Sequence, residues 1–506
     1  MRWSERGRRR RAAACVAAVL AVASVAGCDG GGGSDPSPST PGATPRPFTV
    51  MSTDEIRVTD PAAVTDGPSA SFAQEVFQRL MTSAPGASVL KPDAARDCGF
   101  IDSPTIYTCT LNPDLKFSNG HPLTSSDVKF SVQRALRLDV PGSSASLLSS
   151  VRRIDTPDDL TVRFLLSRVD NQFGWALASP AASLVDEEVY DADKVHAPDE
   201  PAIGSGPYTV TDLAPNEIAF AKFEAYKGFT PVTLDALVYR QVPDSATVED
   251  AMNKGQVDVV WRGLNTAAVT RLSQQVGASA EQRTTSGFSP RALPGTRVLQ
   301  LAWSPESRAR GDKALRSAIA VALQGDRTLD SVVPNGVPGH TNAFPLGGKA
   351  TPRVTWKNRV NLTLGYDPTA PNAQDLATQI RTRLEDTGGL SVRLRPDAEN
   401  VDLALLDRKA WTTTGLAWLQ PYLDHPLPGS ADAVEATENA FRAVPPTDEA
   451  TSTRLLGSLQ RQAASDALVL PISQADELVW VRAGVEISAG SYGPGWQLGL
   501  WGISRG

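Results

Sequence analysis

The chain has 506 residues, 41% of them hydrophobic, with 49 Lys and Arg against 56 Asp and Glu and a formal charge of −7. Taking away the six Arg and one Glu of residues 1–27, which read as a cleaved leader, leaves 43 basic against 55 acidic residues, about −12. A body that acidic argues against nucleic acid as a partner, and its 479 residues exceed one ordinary domain, so two or three lobes are expected.

The N-terminus carries Arg2, Arg6 and the run Arg8 to Arg11, then Ala12 to Val25, apolar except for Ser24. That run is shorter than the roughly 20 apolar residues a bilayer-spanning helix needs, and it fits the apolar region of an export signal. Val25-Ala26-Gly27-Cys28 follows and resembles a bacterial lipobox. Small residues let the backbone enter a peptidase cleft, and the Cys28 thiol would accept diacylglycerol. Residues 1–27 are therefore expected to be a lipoprotein signal peptide, with Cys28 lipidated and the chain held at the extracytoplasmic face of the cell membrane. The alternative is an ordinary cleavable signal that contains a cysteine. The arginine run leaves Sec and twin-arginine export both open. Residues 28–47, with Gly30 to Gly33 and Pro36, Pro38 and Pro41, have almost nothing to bury and read as a disordered Gly/Ser/Pro tether. No later stretch is long and apolar enough to span a membrane.

Cys15 leaves with the signal and Cys28 takes lipid, so Cys98 and Cys109 remain. In an oxidising compartment they should form one disulfide. The rival is a metal or redox pair, against which no His or further Cys lies nearby in sequence.

Phe72, Val76, Phe77 and Leu80 recur at helical spacing and predict a helix over Ser71–Met81. Tyr107, Cys109 and Leu111 alternate as a half-buried strand, and Asn119-Gly120 marks a turn. Thr124 and Asp127 are placed as the capping box of a following helix. Leu160, Val162, Phe164 and Leu166 give a strand after the turn at Pro157-Asp158-Asp159. Further strands are predicted at Leu234–Val242, Val257–Trp261, Val298–Trp303, Leu362–Tyr366, Leu390–Leu394 and Leu403–Leu406. Helices are predicted at Thr247–Asn253, stopping at Gly255, at Asp312–Leu323 and at Ala373–Glu385. The pattern is a mixed α/β chain of several lobes without an internal repeat.

The order of motifs resembles the family-5 extracellular solute-binding proteins, the peptide, dipeptide and nickel carriers of ABC importers. Thr59-Asp60-Pro61 looks like the family's early Asp-Pro turn, and Val76-Phe77-Gln78-Arg79-Leu80 like the helix after it. Tyr107 to Leu111 and Leu115 to Val128 resemble the segment "tyTF-LR-gvkFsdGtPltAeDV". Gly204-Ser205-Gly206-Pro207-Tyr208 looks like "GTGPY", and Lys254 to Asp258 like the "-GeiD" strand entry. Leu301 to Ser304, Leu315 to Ala320 and Leu470-Pro471-Ile472 match more weakly but in the right order. The resemblance covers roughly Val50 to Ile487.

It implies an α/β, two-lobed periplasmic-binding-protein-like fold (type II, cluster C) with an extra subdomain in the N-terminal lobe. Residues 48–88, 201–296 and 485–506 would form the first lobe, 89–200 the inserted subdomain and 297–484 the second lobe. The role implied is capture of a small peptide or other polar solute and delivery to an ABC permease, by a monomer without cofactor or metal. The family commonly holds a peptide's amine with an Asp in a "W-x-A-D-Y-x-D-P" segment. The stretch Trp418 to Pro426 matches it, but Pro421 stands at that Asp. That leaves another solute, or the role of some actinobacterial lipoproteins resembling this family, which regulate envelope biosynthesis.

Trp418, Tyr422 and Asp424 are the cleft candidates by position, against a structural strand-to-loop corner. Trp261 and Arg262 end a short strand where an aromatic and a cation could meet ligand, against a buried Trp beside a surface Arg. Tyr492 to Trp496 and Trp501 read as core packing of a returning strand. Catalysis has little support: His121, His196, His340 and His425 lie far apart in sequence without an HExxH pair. Gly204-Ser205-Gly206 is not a hydrolase elbow, and Gly347-Gly348-Lys349-Ala350 lacks a phosphate loop's spacing.

Overall fold

The computed structural model describes residues 46–83, 89–348, 359–368, 373–396 and 399–506; Cys28, the signal and the tether as far as residue 45 lie outside them. Pro47–Gly506 forms one compact unit.

The first part of the chain holds β1 (Thr49–Ser52), α1 (Gly67–Val76), β2 (Met81–Thr82), β3 (Lys91–Pro92), β4 (Ala95–Phe100) and β5 (Ile106–Leu111). It continues with α2 (Ser125–Leu138), β6 (Val151–Asp158), β7 (Thr161–Leu166) and α3 (Phe173–Ala176). Next come β8 (Tyr208–Ala214), β9 (Glu217–Lys222), β10 (Ala236–Gln241), α4 (Ser245–Asn253), β11 (Val259–Trp261) and α5 (Thr266–Ala278). The remainder runs through β12 (Phe288–Trp303), α6 (Lys313–Ala322), β13 (Val360–Tyr366), α7 (Ala373–Glu385), β14 (Leu390–Arg395) and β15 (Leu403–Arg408). It closes with α8 (Gly415–Leu423), α9 (Ala431–Arg442), α10 (Glu449–Asp466), β16 (Val469–Arg482), β17 (Val485–Ile487) and β18 (Ile503–Arg505).

Ten strands form one sheet in the order β14-β13-β15-β12-β16-β11-β1-β10-β9-β8, and β4-β5-β7-β6 form a second. The antiparallel pair β12 and β16 sits at the middle of the large sheet and serves two separate cores. Leu301 and Leu470 pack with Leu364, Leu403, Leu419 and Leu459 in the core of a second lobe. Leu293 and Val479, on the same two strands, pack with Val50, Phe72, Phe220 and Trp261 in the core of a first lobe. A third core, built on Val128, Val162, Phe164 and Phe173, fills the smaller sheet and α2.

Several expectations change in extent. The predicted strand Val298–Trp303 is the far half of β12, which begins ten residues earlier at Phe288. Pro294-Gly295 hides the earlier half, because there the ladder breaks: Leu293 pairs with Glu477 and Arg297 with Ala475. A proline cannot donate to a ladder and so belongs at such a bulge. The helix expected over Ser71–Met81 is Gly67–Val76 instead, capped by Asp66, whose carboxylate accepts from Ser69 N. It stops at Val76 because the Gly204-Ser205-Gly206 turn lies against its last residues. Gly206 N donates to Val76 O at 2.8 Å, and a Cβ on Gly204 would collide with that same carbonyl. The Thr124–Asp127 capping box closes as read, with Thr124 N donating to Asp127 Oδ2 at 2.8 Å. Cys98 and Cys109 form a disulfide between paired positions of β4 and β5.

A buried ion pair and a buried carboxyl tie these parts together. Asp60, in the early Asp-Pro turn, receives both Nη atoms of Arg134 from α2, at 2.9 and 2.6 Å, with neither side chain exposed beyond 1%. Asp60 also accepts from Ala62 N and His196 N, while Arg134 donates to Asp191 O and Lys194 O. Removing one member of such a pair strands the other charge. Arg134→Ala should therefore cost about 3–5 kcal/mol, read from the midpoint of urea unfolding; a loss below 1 kcal/mol would mean the pair contributes little.

Glu75, on the last turn of α1, accepts from Leu500 N at 2.7 Å. Burial pushes its carboxyl up to about 8, only partly offset by the N–H groups of Leu500 and Trp501 and by Arg79. A carboxyl raised in the folded state keeps its full contribution below about 4.5 and loses it as pH rises toward about 8. By pH 7 that loss is on the order of 3 kcal/mol. Glu75→Gln keeps an accepting oxygen without the ionisation. It should gain stability over wild type progressively from pH 4.5 to 8; a difference independent of pH across thermal melts would count against this reading.

Candidate functional site

Where the lobes meet, charged side chains from both converge beside the bulge. From the first lobe, Arg262 follows β11 in a left-handed backbone conformation, φ 52°. Its carbonyl accepts from Thr53 Oγ1 at 2.8 Å, and its Nε donates to Asp54 Oδ2 at 2.8 Å. The second guanidinium arm faces Glu477 on β16, with Nη1 3.7 Å from Oε2. Arg297, just past the bulge on β12, pairs with Asp407 of β15, with Nε 3.0 Å from Oδ2. Burial pulls the Arg262 guanidinium down, but Glu477 and Asp54 more than offset it and its pKa is raised; Asp407 does the same for Arg297.

On the hinge side of Arg262 opens a cavity of about 700 Å³. Asp54, Asp244, Arg262, Arg297, Glu477 and Trp480 line it, with Pro368 reaching in from the second lobe. Cavities of roughly 300–1,000 Å³ with a few placed polar groups are typical of small-molecule sites. Arg262 Nη1, Asp407 Oδ1 and Trp480 Nε1 are buried without a hydrogen-bond partner.

On the other side of Arg262 lies the segment between β17 and β18. Tyr492 OH donates to Glu477 Oε2 at 3.0 Å. The Arg262 guanidinium stacks over the Trp496 ring at 5.2 Å, and Lys409 Nζ sits 5.7 Å from the same ring and 5.0 Å from that of Trp411. Lys409 also donates to Thr65 O across the lobes. Burial lowers its ammonium pKa, with Asp66 offsetting part of the shift. At the outer lip a second bridge forms: Arg442 at the end of α9 pairs with Asp170 at 2.9 Å. Asn171 Nδ2 donates there to Phe441 O and Val444 O, capping that helix end from the opposite lobe.

Of the residues singled out in the sequence, Arg262 lies in this cleft and Trp261 is buried in the first core, 0% exposed. Trp418 and Tyr422 do not sit at a strand-to-loop corner. They belong to α8, inside the second core, where Tyr422 OH donates to Asp466 Oδ2 at 2.6 Å. Asp424 is exposed at that helix's C-cap, accepting from Gln420 Nε2. Pro421 likewise sits within α8. Sequence reasoning missed Asp407, near the end of β15, and Lys409 and Trp411 just after it, which carry the second lobe into the cleft. Their signal was there: an apolar strand running straight into Asp407-Arg408-Lys409-Ala410-Trp411, three charges and an indole where a plain loop needs none.

Among the described residues no group of His, Cys, Asp and Glu is arranged to hold a metal ion, and no helix is long and apolar enough to cross a membrane.

Residues 90–428, more than half of the chain, match the bacterial extracellular solute-binding proteins, family 5. The chain is 26% identical over 312 residues to the heme-binding protein A of Haemophilus influenzae, covering 56% of this chain and 54% of that one. It is 24% identical over 295 residues to the dipeptide-binding protein of Escherichia coli, covering 53% and 52%. The chain thus spans about half the length of the curated relatives it matches. The dipeptide-binding protein of Pseudoalteromonas in complex with Met-Leu superposes with a TM-score of 0.74 at 17% identity, covering 91% of this chain and all of that one. The binding protein AgaA of A. tumefaciens in complex with agropinic acid gives 0.75 at 19%, covering 91% and 99%. At such identities the likeness is one of fold: a mixed α/β, two-lobed periplasmic-binding-protein architecture. Fold, cleft and family match agree, and the chain belongs to the family-5 bacterial extracellular solute-binding proteins.

Proposed function

We propose that this protein is the membrane-anchored binding component of an ABC importer, capturing a peptide or similarly sized polar solute between its lobes and passing it to a permease. The carrying observation is the cavity of about 700 Å³ between the hinge-side charges Arg262, Arg297 and Glu477, reached by both lobes. Solute bound there touches both halves and so favours the closed arrangement, which is the condition for a closure signal. Proteins similar to it are named for heme, dipeptides and agropinic acid, so the cavity's own chemistry sets the cargo.

In this reading residues 1–27 are removed, Cys28 carries the lipid, and residues 28–47 tether the body. A diacylated anchor of two or more chains holds stably, whereas one chain is marginal. The first lobe comprises 48–88, 201–296 and the C-terminal strand, with 89–200 inserted; the second comprises 297–484, with the end of β16 packing back on the first core. The protein acts as a monomer that binds rather than catalyses.

A thermal-shift panel of di- to tetrapeptides, opines, heme and metal chelates on residues 47–506 tests the solute reading. A true ligand at 100 times its Kd should add about 2.7 kcal/mol to stability. Arg262→Ala should cut the response by tenfold or more in affinity. No shift with any class at millimolar concentration would remove the solute reading.

A further inference from the structure

The segment Ser488–Gly502 between β17 and β18 is far longer than a two-strand connection requires, since β17 and β18 pair directly from Val485↔Arg505 to Ile487↔Ile503. It folds back on itself at an isolated bridge between Tyr492 and Leu498, and its tip enters the cleft. Gly493 N donates to Gln497 O at 2.8 Å and Trp496 N to Gly493 O at 2.9 Å, with Trp496 left-handed at φ 62°.

Tyr492 and Leu498, at the base of the tip, are buried in the first core, and the residues between them also reach the second lobe. Toward the first lobe, Leu498 N donates to Ser71 Oγ at 2.8 Å and Leu500 N to Glu75 Oε1 at 2.7 Å. Trp496 lies against Arg262 and against Gly67, where any Cβ would come within 2.9 Å of Trp496 O. Toward the second lobe, Ala410 N donates to Pro494 O at 3.0 Å, and Gly495 packs on Trp411. Lys409 Nζ lies 5.7 Å from the centre of the Trp496 ring. One indole therefore meets a cation of each lobe, and one backbone carbonyl caps the strand end of the second lobe while neighbouring amides hold α1 of the first.

We propose that the tip Tyr492–Leu498, rooted in the first core and reaching across to Lys409, Ala410 and Trp411, is a strap that holds the two lobes together without solute. This rests on the reading of the two cores as lobes that open and close. A ligand favours closure by contacting both lobes; the strap makes such contacts from within the chain, so its local concentration is fixed and high. Release of the strap would uncover the Trp411 ring and the faces of Arg262 and Lys409 that meet Trp496, while their bonds to Asp54, Glu477 and Thr65 remain.

Hydrogen exchange on the full-length chain in detergent, without any solute, tests this. In wild type the amides around Ala410 and Leu498 should be protected, as should the outer-lip segments holding Asn171 and Arg442. Trp496→Ala should speed exchange at least tenfold in the tail and also at the outer lip, while β4, β5 and β7 keep their protection. Lys409→Met, which leaves the tail's own sequence intact, should give the same pattern more weakly. Faster exchange confined to the tail would overturn the proposal, showing local packing only; so would an outer lip already unprotected in wild type. Because no solute is present, these outcomes are independent of the binding panel.

Discussion

The structure depends on two strands that pass through both lobes. β12 and β16 pair over most of their length, and the same two backbones supply Leu301 and Leu470 to one core and Leu293 and Val479 to the other. They join the β14-β13-β15 strands of one lobe to the β11-β1-β10-β9-β8 strands of the other. At the crossing the ladder breaks, and Gly295 N donates to Asp476 Oδ1 while Gln474 Nε2 donates to Gly295 O, so the bulge is held by side chains where strand pairing lapses. A bulge turns the strand and re-aims its side chains. Here it delivers Arg297 and Glu477 to the space between the lobes, on the backbone that would have to flex if the lobes moved.

The cleft charges follow from that geometry. Arg262 meets Asp54 and Glu477, and Arg297 meets Asp407, on the crossing strands, near the end of β15 and on the segments that leave β1 and β11. Such groups are costly to bury unless each charge has a partner. Lys409 differs in kind: a backbone oxygen and two indole rings meet it directly, with Asp66 offsetting part of its burial. Cation–π contact is worth roughly 0.5–2 kcal/mol depending on desolvation, enough to seat a tail but modest enough to be outcompeted.

Much of this architecture was legible in the chain. The capping box at Thr124–Asp127, the strand around Cys109, the helix Ala373–Glu385 and the Gly204-Ser205-Gly206 turn are local signals, set by hydrogen bonding and sterics within a few residues. What failed to read were elements whose pattern is broken for tertiary reasons. The first half of β12 is disguised by Pro294-Gly295, and α8 by Pro421, which sits inside a helix that the second core holds in place. The cleft residues of the second lobe were misplaced for the same reason: Trp418 and Tyr422 are the conspicuous aromatics, yet core packing claims them, while Asp407, Lys409 and Trp411 sit where the strand ends.

By itself the sequence determined the α/β alternation, the family resemblance and the pairing of Cys98 with Cys109, because composition, periodicity and short-range spacing carry those. Only the tertiary structure decided which charges share a cleft. Arg262, Arg297, Asp407 and Glu477 span more than 200 residues, and nothing in their spacing records that two crossing strands bring them together. The tail shows the same division: Tyr492 to Trp496 is plainly aromatic and glycine-rich in sequence. The structure seats Tyr492 in the first core with Trp496 and Trp501 packed against it, as that pattern suggests; which second-lobe groups the segment also meets depends on where β17 and β18 leave it.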